Sequence, residues 1–421
     1  MKYKTYNCNS FNIYTIKTDK FKTSHMEVIF RNIAKKEEMG KYAFLADMLS
    51  ESCKKYPRKK DLITRFEELY KIVIYASTVR VGNVLDLHVS LDFINPEYIE
   101  EDNYVEEVIK TLFEMIERPN VENDEFDLKT FNIIKERLRR EINSLKENPV
   151  KQSIKEAFKT MDSNTATSYE LLGTIEQLDN ITPSSLYDAY KTLRKEFKVD
   201  IFLIGNLEMD DMATLIKKYF KNRYIVDINF DMLVDNKEVK KVHEASLKSE
   251  NIQTNLVMLF NLKNLNDLEK NITLNAFNYI YGSGGLTSKL YKSIREENSL
   301  CYAINSMYLK YDGLLMVQIS LDQCNVKKAI SLVKKELKKM QNGEFSDMEL
   351  NDAINNMIIS LDMSLDNNVA ILNNYVFNIY DNLPLIEKRK EYFKEINKND
   401  IINVSKKIKL NTIFTLEGKD S

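Results

Sequence analysis

The sequence predicts an α+β protein built from two tandem homologous α/β halves, each an antiparallel-rich sheet packed against helices. Three observations carry that expectation. Met26, Val28 and Phe30 alternate in the strand period, and Leu256, Met258 and Phe260 repeat the pattern 230 residues later. Leu85, Leu87, Val89 and Leu91 alternate without a break, and Leu315, Val317, Ile319 and Leu321 follow at the same offset of 230. The tripeptide Ser90-Leu91-Asp92 recurs as Ser320-Leu321-Asp322. Alternation marks a half-buried strand. Two strands kept at one spacing mark an internal duplication.

The elements follow in order. Residues 1–22 add a weakly alternating strand through Phe11, Ile13, Tyr14 and Ile16, ahead of the strand at Met26. Residues 37–55 form the first strong helix, with Tyr42, Phe44, Leu45, Met48 and Leu49 on its apolar side. A second helix over about 60–71 carries Leu62, Ile63, Phe66 and Leu69. Beyond the Leu85–Leu91 strand and Pro96, helices run near 100–118 and 123–147, the latter ending at Asn148-Pro149. Thr182-Pro183 opens a helix carrying Leu186, Tyr190 and Leu193, with proline at the first helical position, where its missing N–H costs nothing. Val199, Ile201, Leu203 and Ile204 make a strand leading into Gly205-Asn206, and a helix follows from Met209 to Phe220. Residues 231–248 are polar and aperiodic and read as a linker, so residues 1–230 are the N-terminal half and 249–421 the C-terminal half. The second half closes with helices near 325–341, 346–362, 366–380 and 383–396 and a final strand over 412–416.

Length and composition bound the function. At 421 residues the chain exceeds one ordinary core, as two halves require. Hydrophobic content of 43% and charged content of 29% are those of a soluble globular protein. A net charge of −2 gives no electrostatic case for nucleic acid or an anionic membrane. No run approaches the roughly 18 apolar residues of a membrane span, and the N-terminus lacks the apolar run of a signal peptide. Cys8, Cys53, Cys301 and Cys324 show no C-x-x-C spacing, so free thiols in a reducing cytosol are expected. The Lys-, Asn- and Ile-rich composition without Trp is that of an AT-rich bacterial genome.

One stretch concentrates chemistry. Gly282, Gly284 and Gly285 place three of the chain's ten glycines in four positions. Leu286, Leu290, Tyr291 and Ile294 then fall at helical spacing, and Arg295 stands seven residues ahead of Tyr302. Glycine lets backbone approach a ligand or another strand. Arg-x₆-Tyr alone is a weak signal, equally served by Arg295 capping its helix and Tyr302 packing at a strand start. The phosphate-cradling pattern G-x-x-x-x-G-K-[ST] is absent. The three histidines, His25, His88 and His243, show no pair at ligand spacing.

The two halves, their element order and this stretch together resemble the insulinase/pitrilysin zinc peptidases over essentially the whole chain, implying the fold type of the mitochondrial processing peptidase. That family carries H-x-x-E-H on the first long helix, two zinc-binding histidines one turn apart with a glutamate base between them. Here the place reads Ala43-Phe44-Leu45-Ala46-Asp47-Met48-Leu49, followed by Lys54-Lys55-Tyr56-Pro57. Ala43 and Asp47 stand at the histidine positions and Ala46 at the base. Glu141, in Arg140-Glu141-Ile142, resembles the third ligand. Two carboxylates are one short of the three protein ligands usual in a catalytic zinc site. The resemblance therefore implies no metal held by this chain. It also implies that Arg295, Glu296, Leu300 and Tyr302 match the family's Arg-Glu-x-x-x-Leu-x-Tyr, with Arg295 and Tyr302 gripping the substrate behind the loop Gly282, Gly284, Gly285.

The expectation is a non-catalytic, substrate-binding subunit of a heterodimeric bacterial zinc peptidase, inactive alone and cytoplasmic. Its partner is a homologous chain carrying H-x-x-E-H and zinc, and its substrates are peptides, among them leader peptides of ribosomally made natural products. The alternative is a scaffold or interaction protein derived from the same fold. An autonomous peptidase with a rebuilt metal site is the third reading.

Overall fold

The alternation of Leu85, Leu87, Val89 and Leu91 lies in a strand whose apolar side chains are buried up to Phe93, and it forms part of the first sheet. A computed structural model describes residues 3–222, 224–226 and 228–419. The first half builds β1 (Tyr3–Asn7), β2 (Asn12–Lys17), β3 (Thr23–Ile33), α1 (Met39–Glu51), α2 (Lys59–Glu68), β4 (Val73–Val81) and β5 (Val84–Ile94). Then come α3 (Tyr104–Glu117), the short pair β6 (Val121–Glu122) and β7 (Glu125–Phe126), α4 (Leu128–Glu147) and α5 (Pro149–Asp162). α6 (Ile175–Asn180), α7 (Pro183–Glu196), β8 (Lys198–Gly205) and α8 (Met209–Tyr219) complete it. The second half builds β9 (His243–Lys248), β10 (Thr254–Leu262), α9 (Leu274–Asn278), β11 (Cys301–Leu309) and β12 (Leu314–Leu321). It ends with α10 (Val326–Gln341), α11 (Asp347–Ser364), α12 (Asn368–Asp381), α13 (Ile386–Glu395), α14 (Lys398–Ser405) and β13 (Ile408–Glu417).

The duplication is visible in the topology. The first sheet runs β1-β2-β8-β3-β5-β4 and the second β11-β12-β10-β13-β9. Within them β8-β3-β5-β4 corresponds to β13-β10-β12-β11, all antiparallel neighbours. In each sheet one further strand adds in parallel, β2 beside β8 and β9 beside β13. Met26, Val28 and Phe30 enter one core and Leu256, Met258 and Phe260 the other, as alternation requires.

The chain divides into two compact units that are not contiguous in sequence. Unit 1 is Met1–Asn143, Tyr169–Met232 and Asn367–Phe377; unit 2 is Ser144–Ser168, Leu233–Asp366 and Asn378–Ser421. Each unit thus takes one helix from the other half of the sequence, across the division expected near 230–249. In unit 2, α5 lays Ala157 and Met161 on Val257, Leu259, Met316 and Phe414, the sheet face turned away from the main core. In unit 1, α12 sets Tyr375 edge-on to Tyr3 at 5.7 Å.

Several local expectations are revised. Asn148-Pro149 ends α4 but also opens α5: Asn148 Oδ1 accepts from Lys151 N at 3.0 Å and Pro149 takes the first helical position. The end of the expected linker is β9, whose polar residues need only backbone pairing with β13 at the sheet edge. β4 escapes the periodicity reading because Val73, Tyr75 and Val79 are apolar on its exposed side. Leu286 does not share the apolar face of Leu290 and Ile294; it is 69% exposed because the chain makes a tight turn at Gly285–Thr287 before the helix begins.

Candidate functional site

The degenerate motif lies on a helix buried nearly all round, with nine of its thirteen residues inside. No side chain caps its N-terminus, so packing holds it in place. Ala43 and Ala46 are buried. Asp47 is half-buried, and its Oδ2 meets the Arg137 guanidinium of α4 at 3.0 Å. Arg137 also approaches Glu51 at 3.7 Å, and Lys59 approaches the same carboxylate at 3.3 Å. Burial raises the Asp47 carboxyl above its ordinary range, and the adjacent guanidinium opposes that rise. Glu141 lies one turn beyond Arg137 and is exposed. Among the described residues no group of three or more His, Cys, Asp or Glu could hold a metal ion. The residues present do not fit zinc. Both imidazoles are replaced, and the surviving carboxylate on α1 is neutralised by a fixed cation.

The second stretch is ordered by close approach. A Cβ on Gly282 would lie 2.4 Å from Ser306 Oγ and 2.8 Å from Leu290 Cδ1, so only glycine lets this turn sit on β11. Ser306 is in turn fixed by donating to Asn278 Oδ1 at 2.6 Å. Gly284 packs on the Tyr279 carbonyl, while Gly285 has φ +60° and open space around its α-carbon. Of the three glycines expected to face substrate, Gly282 is therefore buried and Gly285 exposed.

The helix that follows widens at its end. Glu297 N donates to Lys292 O at 2.9 Å, a five-residue span, and Leu300 N donates back to Ile294 O at 3.0 Å. Such π-type turns recur at functional sites. Arg295 projects from this turn, exposed, with its guanidinium 5.1 Å from the Tyr291 ring centroid. Its side chain makes no hydrogen bond or ion pair among the described residues. Tyr302 occupies a β-bulge: Cys301 pairs with Leu321 and Ala303 with Ser320, leaving Tyr302 as the extra residue. A bulge re-aims a side chain. Tyr302 is 53% exposed, and its hydroxyl donates to Asp322 Oδ1 at 3.0 Å. That hydrogen bond raises the phenol's pKa, which keeps it a proton donor. No hydrogen bond or ring contact joins Arg295 to Tyr302 among the described residues; both open to solvent in unit 2, Tyr302 on the edge strand β11.

Two histidines without ligand spacing are brought together by sheet register. His25 Nδ1 lies 2.8 Å from Asp92 Oδ1 and its Nε2 lies 3.1 Å from Glu27 Oε1. His88 Nδ1 meets the other oxygen of Glu27, and Ser90 Oγ donates to Glu27 at 3.3 Å. Burial alone would lower His25, but the bonds to Asp92 and Glu27 override it and raise the pKa to about 9. Burial likewise pushes Glu27 up, and the two histidines bring it down to about 2. The same face continues with Arg31, which forks onto Asp86 at 2.7 and 2.5 Å. The signal was present in the sequence: His25, Glu27 and Arg31, like Asp86, His88, Ser90 and Asp92, fall at alternate positions of otherwise apolar strands.

Residues 180–357 match the family described as the peptidase M16 inactive domain. This chain is similar to that family over the segment from the end of α6 into α11. It is 24% identical over 416 residues to the probable inactive metalloprotease YmfF of Bacillus subtilis (strain 168), covering 97% of this chain and 96% of that protein. The fold is shared with a conserved protein from Enterococcus faecalis V583, with a TM-score of 0.94 at 22% identity over 100% of this chain and 99% of that one. It is shared also with a peptidase M16 inactive domain from Pseudomonas fluorescens, at a TM-score of 0.81 and 16% identity over 100% and 99%. A protease from Helicobacter pylori follows, at 0.77 and 13% over 99% of each chain. By that similarity Ala43, Ala46 and Asp47 stand where M16 peptidases carry H-x-x-E-H, and the matched family and the Bacillus subtilis relative are both described as inactive. No helix among the described residues is long and apolar enough to cross a membrane.

Proposed function

We propose that this chain is a member of the M16 family and the non-catalytic, substrate-binding subunit of a heteromeric zinc peptidase of the cytosol. A homologous partner carrying H-x-x-E-H supplies the zinc and the general base, and this chain supplies Arg295 and Tyr302 to the bound peptide. The observation that carries the reading is the contrast between the two stretches. The vacated helix is closed by alanines and an Asp47–Arg137 ion pair, whereas Arg295 stays exposed and makes no side-chain hydrogen bond among the described residues. A guanidinium donating to a peptide carbonyl makes a charge-assisted bond of about 1.5–3 kcal/mol. Tyr302 can turn its single O–H from Asp322 to an oxygen on which charge develops. Gly284 and Gly285 allow peptide backbone to pass close to the turn. Peptides and unfolded segments are the substrates this arrangement suits, ribosomal leader peptides among them, because backbone-led recognition tolerates varied side chains.

The test mixes the purified chain with an H-x-x-E-H homologue and follows cleavage of a fluorogenic peptide library. The reading expects cleavage only from the mixture, with Arg295→Ala and Tyr302→Phe each lowering kcat/KM by roughly tenfold or more, the equivalent of one lost charge-assisted contact. A partner fully active alone sinks the subunit assignment. A mixture whose activity ignores both substitutions leaves this chain as a scaffold.

A further inference from the structure

The loop Lys54-Lys55-Tyr56-Pro57 has no part in the proposed grip on peptide, yet in unit 1 it walls a cavity of about 410 Å³. The opposite wall is α3 along its length, from Glu107 in the first turn through Lys110 to Glu114 and, just past the helix, Arg118. The volume is that of a small-molecule site. The loop is pinned rather than loose: Lys54 N donates to Arg118 O at 2.9 Å, Cys53 N to Tyr56 O at 3.1 Å, and Asn120 Nδ2 to Pro57 O at 3.3 Å. A pinned loop pre-forms its site and lowers the entropy cost of binding.

Charge decides what fits. Four of the six charged lining side chains are cationic, Lys54, Lys55, Lys110 and Arg118, although the whole chain carries 61 basic against 63 acidic residues. Both carboxylates are already engaged. Glu107 takes Lys110 at 2.8 Å on one oxygen and Arg65 at 2.5 Å on the other, and Glu114 pairs with Arg118 at 3.7 Å. The hydrogen bond from Lys110 holds Glu107 below its ordinary range, so it stays charged. Arg65, which pairs with Glu107, has its Nε buried without a hydrogen-bond partner among the described residues. Lys54 and Lys55 meet no carboxylate within ion-pair distance among the described residues; the Lys55 ammonium stands 5.1 Å from the Tyr56 ring centroid.

We propose that this cavity binds a small polyanion carrying a diphosphate or longer phosphate chain. Lysine ammonium groups act as point charges and suit phosphate oxygens without demanding a planar fork. The two carboxylates reduce the local excess to two positive charges, so a singly charged anion gains little. A diphosphate reaching both Lys54 and Lys55 gains from the two cations that no carboxylate neutralises. The site does not depend on the subunit reading, and it is tested on the chain alone.

Calorimetric titration of the full chain with inorganic pyrophosphate, beside orthophosphate, reads the result. One pyrophosphate binds per chain, and raising the salt weakens binding. Lys54→Ala/Lys55→Ala weakens it by about a hundredfold, two lost charged contacts at about tenfold each. Both lysines are exposed, so that variant keeps the parent's melting temperature without ligand. Glu114→Gln, which removes a repelling charge, tightens binding. Lys334→Ala/Lys335→Ala, an exposed basic pair on α10, leaves it unchanged. Weaker binding by Glu114→Gln, equal losses from the two lysine pairs, or several weak sites per chain each overturn the proposal. Orthophosphate binding as tightly as pyrophosphate overturns the diphosphate assignment.

Discussion

Replacing Glu27 by glutamine removes the charge that two buried histidines share, and its effect on stability depends on pH with a defined sign. Against its ordinary value of 6.5, His25 stands at about 9. Such a gap corresponds to about 3 kcal/mol of preference for the charged imidazole in the folded protein. Glu27, at about 2 against an ordinary 4.5, reports the same interaction from the other side, so the two are not summed. The His25 contribution is complete below pH 6.5 and is lost as pH rises through 9. The Glu27 contribution is complete above pH 4.5 and is lost as pH falls through 2. The network therefore stabilises unit 1 most between pH 4.5 and 6.5 and fades on either side. Asp92 still holds His25 in Glu27→Gln, so the variant loses about 2–3 kcal/mol at pH 5.5 and under about 1 kcal/mol at pH 9.5. Urea unfolding of parent and variant at both pH values measures the difference. Histidine proton NMR, simple with three histidines in the chain, follows His25 directly. A penalty that is equal at the two pH values, or larger at pH 9.5, refutes the reasoning. So does a His25 that titrates near 6.5 in the parent.

Two further outcomes follow from the site geometry. Gly282→Ala pushes a methyl to within 2.4 Å of Ser306 Oγ and should cost about 1–3 kcal/mol. In a double-mutant cycle Ser306→Gly should recover part of that cost, and additive losses in urea unfolding would show that the two residues do not collide. Asp47→Ala removes a partly exposed ion pair and should change stability by under about 1 kcal/mol. Elemental analysis after equilibration with zinc should find no stoichiometric metal in either the parent or Asp47→Ala, and one zinc per parent chain would contradict the poor fit of Asp47 and Glu141.

The sequence by itself determined the duplication, because alternation and helical spacing are local properties and a repeat needs only one constant offset. It determined which side chains enter the two main cores, since Leu85, Leu87, Val89 and Leu91, like Leu315, Val317, Ile319 and Leu321, fall on one face of their strands. It also showed Ala43, Ala46 and Asp47, none of them a histidine, at the positions where the resemblance expects zinc residues. Only the tertiary structure decided what depends on residues far apart in the chain. The bulge that turns out Tyr302 exists because β11 and β12 fall out of step by one residue, a relation no single strand encodes. Gly282 is glycine because Ser306, on another element, lies where a methyl would go. Arg137 meets Asp47, and His25 and His88 meet Glu27, through helix packing and sheet register. α5 covers the second sheet because that sheet has a second apolar face, which periodicity in α5 alone does not reveal. Local pattern fixes what each segment is; contact between segments fixes what each side chain meets, and the chemistry of this protein lies in those meetings.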